Sequence, residues 1–199
     1  MSNKNKNLDK LVGDIGSYIC ELEKCITSEK IEKVEIPFPC GVLRTARYFR
    51  QELTFIKDNT LKRNLAYHLI LTDLHRWILN RFGIGLTAKE MFIKEGICLL
   101  GNICAAVVRH IAWRLGTKKR KGRDPGIKAC LTFLVQKGIF DNEFKKYLEW
   151  LWNIRCNEHI EYLKDWEYQK YSLKDYNQAV LIWKKLKEYA IKAEELGIL

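Results

Sequence analysis

Residues 128–159 read KACLTFLVQKGIFDNEFKKYLEWLWNIRCNEH. An apolar helical segment ends at Lys137-Gly138, and a new helix starts at Asp141. On this second helix Phe144, Leu148 and Leu151 follow the i, i+4, i+7 spacing of one face. The next members of that face are Arg155 and His159. A cation on a core-facing stripe is costly unless it is paired or used. Functional sites are where proteins tolerate such conflicts.

The surrounding chain reads as helix. Its 199 residues suit one domain with an N-terminal extension, residues 1–35 before a globular unit of residues 36–199. Hydrophobic residues make up 47%, enough for a sizeable core. Three prolines occur, two of them in Ile36-Pro37-Phe38-Pro39. Few breakers and long 3.6-residue periodicity predict an all-α helical bundle. Residues 33–38, β-branched before the prolines, predict a short extended segment.

Residues 1–7 carry no pattern and are expected to lack order. Leu8, Leu11, Val12, Ile15, Ile19, Leu22 and Ile26 predict a first helix. Further helices are expected over 41–56 and 60–82. Thr87 and Glu90 form a capping-box pattern that opens a long helix to about Leu115. Its apolar centre predicts the middle position in the bundle. Gly96, Gly101 and Ala105 are small enough for neighbouring helices to approach there. Helices over 127–137 and 142–159 follow. Ser172 to Asp175 signals a last helix, with Tyr176, Val180, Trp183, Leu186 and Ala190 as its buried stripe.

The net charge is +11, with a pI near 9.3. Such an excess suits a polyanionic partner, although lysine-rich solvated faces produce it as well. Lys118, Lys119, Arg120, Lys121 and Arg123 crowd one Gly/Pro-bounded loop and are candidate RNA-binding residues. The seven cysteines show no CxxC pair and no metal-ligand spacing. They read as thiols of a reducing, cytoplasmic setting, with no metal or other cofactor expected. No apolar targeting segment follows the Asn/Lys-rich start. The apolar run 97–108 is too short to span a bilayer and reads as a core helix, so no membrane is expected as a partner. P-loop, GxGxxG, HExxH and GxSxG patterns are missing.

The stretch Lys137-Gly138-Ile139-Phe140-Asp141, followed by Leu151-Trp152-Asn153-Ile154-Arg155-Cys156-Asn157-Glu158-His159, resembles the HEPN superfamily of small all-helical prokaryotic proteins. The family's hallmark is Arg-x4-6-His near the last long helix, after a Gly-Ile break and an apolar helix. The likeness runs from about Thr87 to the C-terminus. Here the spacing is Arg-x3-His, and Cys156 stands where a polar residue often follows the arginine. A second match, Arg63-x4-His68, lacks the break and lies early in the chain.

The resemblance implies a metal-independent ribonuclease of a toxin or defence system. In such enzymes the RNA 2′-hydroxyl attacks the adjacent phosphodiester. His159 would move protons and Arg155 would clamp the charged transition state. Asn157 is a third candidate catalytic residue, two positions from each. The resemblance also implies a homodimer whose two motifs share one cleft. Trp150, Trp152, Trp166 and Tyr168 would suit that seam or base stacking. Two alternatives stand beside this reading. One is a non-catalytic RNA- or nucleotide-binding module. The other is a protein-interaction subunit paired with an antitoxin or a nucleotidyltransferase.

Overall fold

The computed structural model describes residues 3–29, 41, 43–117, 125–156 and 170–199. Among these residues the chain is all α, with seven helices and no strand. They are α1 (Asn3–Glu29), α2 (Ala46–Glu52), α3 (Asn59–Arg81), α4 (Leu86–Arg114), α5 (Ile127–Gln136), α6 (Asn142–Cys156) and α7 (Leu173–Glu195). The chain divides into two compact units, Met1–Cys40 and Gly41–Leu199. The extended segment expected over 33–38 lies outside the described residues.

The first unit is described by α1 alone. It starts at Asn3, so order begins earlier than the sequence pattern suggests.

The second unit is built around α4, which packs against α3, α5, α6 and α7. Most of this helix's circumference is buried, including Ile93, Ile97, Cys98, Leu100, Ile103, Ala105, Val108 and Ile111, while the side bearing Glu95, Asn102, Arg109 and Trp113 is partly exposed. A helix apolar over most of its surface needs neighbours on several sides. Its Thr87–Arg114 stretch is long and apolar enough to cross a bilayer by length and composition, and 67% of its most apolar window is buried in the protein. The glycines on α4 let two neighbours come close. A Cβ on Gly96 would lie 2.7 Å from the Tyr176 ring of α7. One on Gly101 would lie 3.0 Å from the Cβ of Arg155 on α6.

Two helix starts show where capping patterns succeed and fail. Ser172 caps α7 in a reciprocal box with Asp175, as expected. At α4 the Thr87–Glu90 box does not form. Gly85 is the capping residue, with extended backbone and no side-chain cap bond. The helix therefore starts at Leu86, and Thr87 is its second residue, two positions past the cap. The helix expected over 41–56 is also shorter. It ends at Glu52, after which Leu53, Phe55 and Ile56 turn fully into the core.

The segment before α2 is tied to α3 by a buried carboxylate. Asp73 accepts from Arg44 Nε at 2.8 Å, from an Arg44 Nη and from the Arg44 backbone N–H. Arg76 adds a longer contact at 3.4 Å. The hydrogen bond to Asp73 raises the Arg44 pKa further above its ordinary range. A carboxylate this deep is tolerable because its oxygens are satisfied and its charge is matched.

Candidate functional site

The corner between α5 and α6 sets the height and direction of the motif helix. Gly138 has φ +71°, a conformation that glycine adopts without steric cost. Its N–H donates to the Val135 carbonyl and the Ile139 N–H donates to Leu134. This double closure ends α5 and buries Ile139 and Phe140. Asp141 then caps α6, accepting the Phe144 N–H at 2.6 Å. The Tyr189 hydroxyl donates to the other Asp141 oxygen at 3.1 Å, which links the corner to α7. The Phe144 N–H bond leads in holding the Asp141 carboxyl below its usual pKa.

From that corner Phe144, Leu148 and Leu151 run along the buried face of α6. Arg155 follows them in the last described turn and is half-buried. Its stem packs on Gly101. Its Nε donates to Asn102 Oδ1 at 2.7 Å. Its guanidinium lies over the Trp152 indole, 5.0 Å from the ring centre. Arg109 of α4 lies over the same indole at 5.5 Å. Two cations thus share one aromatic ring, whose π-electrons attract them. Among the described residues no carboxylate pairs with Arg155 or Arg109. The anchoring amide fixes the arginine without cancelling its charge. The Arg155 Nη atoms have no hydrogen-bond partner among the described residues.

Of the expected catalytic set, the structure places Arg155 alone. Asn157 and His159 lie outside the described residues. So do Lys118, Lys119, Arg120, Lys121 and Arg123, as well as Trp166 and Tyr168. Trp150 and Trp152 pack partly buried against the core edge.

Two features escaped the sequence reading. The first is the α4 face made by Asn102 and Arg109. The available signal was their seven-residue separation, two helical turns, within an otherwise apolar run. The second is a groove of about 430 Å³ lined by Arg50, Asn59, Lys62, Arg63 and Tyr67. Asn59, Arg63 and Tyr67 recur every fourth residue on α3, and Arg50 comes from α2. Three cations and an exposed tyrosine meet there without a lining carboxylate. Arg63 also begins the second Arg-x4-His match. Five helical residues turn its partner His68 about 140° away. His68 is exposed, with Nδ1 2.8 Å from the Asn64 carbonyl.

A larger apolar groove of about 650 Å³ lies near the start of α6, floored by Phe144, Tyr147, Leu181 and Ile182. Phe144 is eleven residues from Arg155, about 16 Å along the helix, so this groove is separate from the arginine. Among the described residues no cluster of three His, Cys, Asp or Glu side chains is arranged to hold a metal ion.

The other two histidines are structural. His75 is buried and stacks on Phe92 with ring centres 4.2 Å apart. His110 is buried beside Arg114. Its Nε2, like His75 Nδ1, has no partner among the described residues. Burial lowers the pKa of both, and for His110 the Arg114 charge lowers it further. A histidine that is hard to protonate when folded takes up its proton more readily when unfolded. Below about pH 6.5 the unfolded chain binds more protons, so stability falls with pH until the lowered folded pKa values are passed. The Asp141 contribution follows at lower pH, lost as pH falls through its depressed folded value. Thermal unfolding followed from about pH 8 to about pH 4 should show Tm dropping first across the histidine window. A Tm that stays flat between about pH 7 and pH 5 would contradict neutral burial of these two rings.

No protein-family profile, curated protein or solved structure matches the chain.

Proposed function

We propose that this chain is a metal-independent, HEPN-type endoribonuclease in which Arg155 receives the scissile phosphate and His159 moves protons. The observation that carries this reading is the setting of Arg155. It ends an apolar stripe, is held through Nε by an uncharged amide, and keeps its charge unmatched among the described residues. A structural arginine at a helix seam ordinarily meets a carboxylate. An arginine held by its Nε has its two Nη groups left to grip phosphate oxygens in parallel.

In the proposed reaction a base removes the 2′-hydroxyl proton as that oxygen attacks phosphorus. The bond from phosphorus to the 5′-oxygen breaks, and an acid protonates the departing oxygen. A 2′,3′-cyclic phosphate and a 5′-hydroxyl remain. One His159 serves one of these transfers, and a second copy of the chain in the same cleft supplies the other. Arg155 and Arg109 supply positive potential where charge gathers on phosphorus-bound oxygens. Asn157 is assigned to orient phosphate or imidazole. The loop cations Lys118, Lys119, Arg120, Lys121 and Arg123 are assigned to phosphates farther along the strand, a contact that weakens with salt.

The test is end-labelled RNA incubated with the chain in EDTA, wild type beside His159→Ala. Cleavage by the wild type that leaves cyclic phosphate ends, with loss in the variant, is the expected result. Intact RNA under all conditions would remove the ribonuclease assignment.

A second reading, a non-catalytic RNA-binding module, is favoured by the groove of Arg50, Lys62, Arg63 and Tyr67. Its cations suit a phosphate backbone and its exposed ring suits a stacked base. RNA that binds without being cut, with affinity dependent on Tyr67 and Arg63, would support this reading over catalysis.

A further inference from the structure

We propose that α1 is a parallel pairing arm that joins two copies of this chain. The proposal rests on the first unit and is independent of the ribonuclease reading.

The apolar residues of α1 keep a strict seven-residue repeat. Leu8, Ile15 and Leu22 occupy one position of the repeat. Leu11, Tyr18 and Cys25 occupy the position three residues on. Val12, Ile19 and Ile26 widen the stripe beside them. An ordinary helix drifts about 20° per seven residues against such a repeat. Sequences that hold it are matched to a partner helix that coils around them.

In the structure the first half of this stripe is exposed, while Leu22 and Ile26 toward its end are half-buried. Leu8 is 59% exposed and Tyr18 68%, and Leu11, Val12 and Ile15 all exceed half. The helix has 27 residues, which makes it about 40 Å long. The stripe covers about 27 Å of it, from Leu8 to Ile26, and a contiguous apolar strip of that length is unusual on a surface that stays in water. The helix is also poorly suited to stand alone. Gly13 and Gly16 lie inside it, where glycine weakens a helix. A Cβ at either would meet nothing within 4 Å, so no close contact explains them. Gly13 falls opposite the stripe and Gly16 beside its Val12–Ile19 edge. A helix of this kind draws its stability from packing.

Charge selects the occupant. Asn3–Glu29 contains four lysines and five carboxylates, a slight negative excess in a chain of net charge +11. Such a balance is wrong for a nucleic acid or an anionic membrane, each of which selects a basic face. It is compatible with a second helix of the same sequence. The flanks also set direction. Asp14 and Glu21 precede Ile15 and Leu22 and border the stripe. In a parallel pair they face the partner's Val12-Ile19-Ile26 row. An antiparallel pair sets these carboxylates beside their own counterparts, where like charges repel.

Parallel, in-register pairing places Cys25 opposite Cys25 of the second copy, while Cys20 points outward. Both thiols are free and exposed. Facing positions in such a pair meet the short separation a disulfide needs.

The experiment uses the full chain carrying Cys40→Ser and Cys156→Ser, treated with diamide. Diamide accepts the two electrons and two protons released when two thiols join. A covalent dimer on a non-reducing gel is expected, retained with Cys20→Ser and lost with Cys25→Ser. Ile15→Lys should reduce the crosslinked fraction at least tenfold. Absence of a crosslink overturns the proposal, as does one that survives Cys25→Ser. Coupling of Cys25 to a cysteine introduced by Leu8→Cys, without Cys25–Cys25 coupling, overturns the parallel arrangement. Binding to anionic phospholipid vesicles in place of dimerisation overturns the choice of partner. Loss of ribonuclease activity has no bearing on this readout.

Discussion

Arg155→Ala should slow RNA cleavage by about 100- to 1,000-fold, the range seen when one preorganised donor to a developing anion is removed. The fold should survive. The exchange removes one hydrogen bond to Asn102 and the cation's contact with the Trp152 ring. Both groups are partly exposed, so the stability lost is about 1–2 kcal/mol. Single-turnover cleavage beside thermal unfolding separates the two effects. Arg155→Lys should recover little of the rate. Lysine keeps the charge but lacks the planar fork and the Nε that Asn102 holds. Equal cleavage by wild type and Arg155→Ala would remove the arginine from the chemistry.

The largest effect on stability is expected at Phe144. Phe144→Ala should destabilise the chain by about 3–5 kcal/mol, lowering Tm by on the order of 10 °C. The ring is fully buried. It meets Phe140 edge-on at 5.6 Å and Tyr189 at 5.0 Å, so its loss opens a cavity between α6 and α7. The Lys185 ammonium, 5.3 Å from the ring centre, loses its aromatic face as well. The cap at Asp141 uses the Phe144 backbone and is retained. Calorimetry measures the loss, and a Tm within about 2 °C of wild type would mean that the corner repacks around the gap.

The sequence was most legible where a local pattern coincided with a packing demand. Ser172 and Asp175 announced α7 because the box and the apolar stripe after it agree. The stripe from Phe144 to Leu151 showed which face of α6 is buried. Gly138 marked the corner because its left-handed backbone is a purely local requirement. Legibility failed where tertiary contacts chose between local options. Thr87 and Glu90 fit a box, yet Gly85 took the cap two residues earlier than that box requires. Residues 53–56 continue a helical pattern, but core burial of Leu53, Phe55 and Ile56 pulls them out of the helix. Within the candidate site, the position of Arg155 was readable from periodicity. Its anchor was not. Asn102 lies 53 residues earlier, and an isolated amide carries no periodic signal that points across such a gap. Arg109 and Trp152 likewise find each other only after α4 and α6 have packed.

The central placement of α4 has a consequence for how the protein is made. Translation delivers the N-terminal part first. The ribosome finishes α4 at Arg114 well before α6 and α7 exist to cover it. During that interval the nascent chain displays its most apolar segment without its cover. Such a segment invites chaperones, and in a stalled or truncated product it invites aggregation. Arrival of α6 changes its character at one stroke. Docking of α6 hides the apolar surface and, in the same event, brings Arg155 to Asn102. A nascent chain that has not yet delivered α6 cannot hold that arginine in place, so assembly of the site waits for α6.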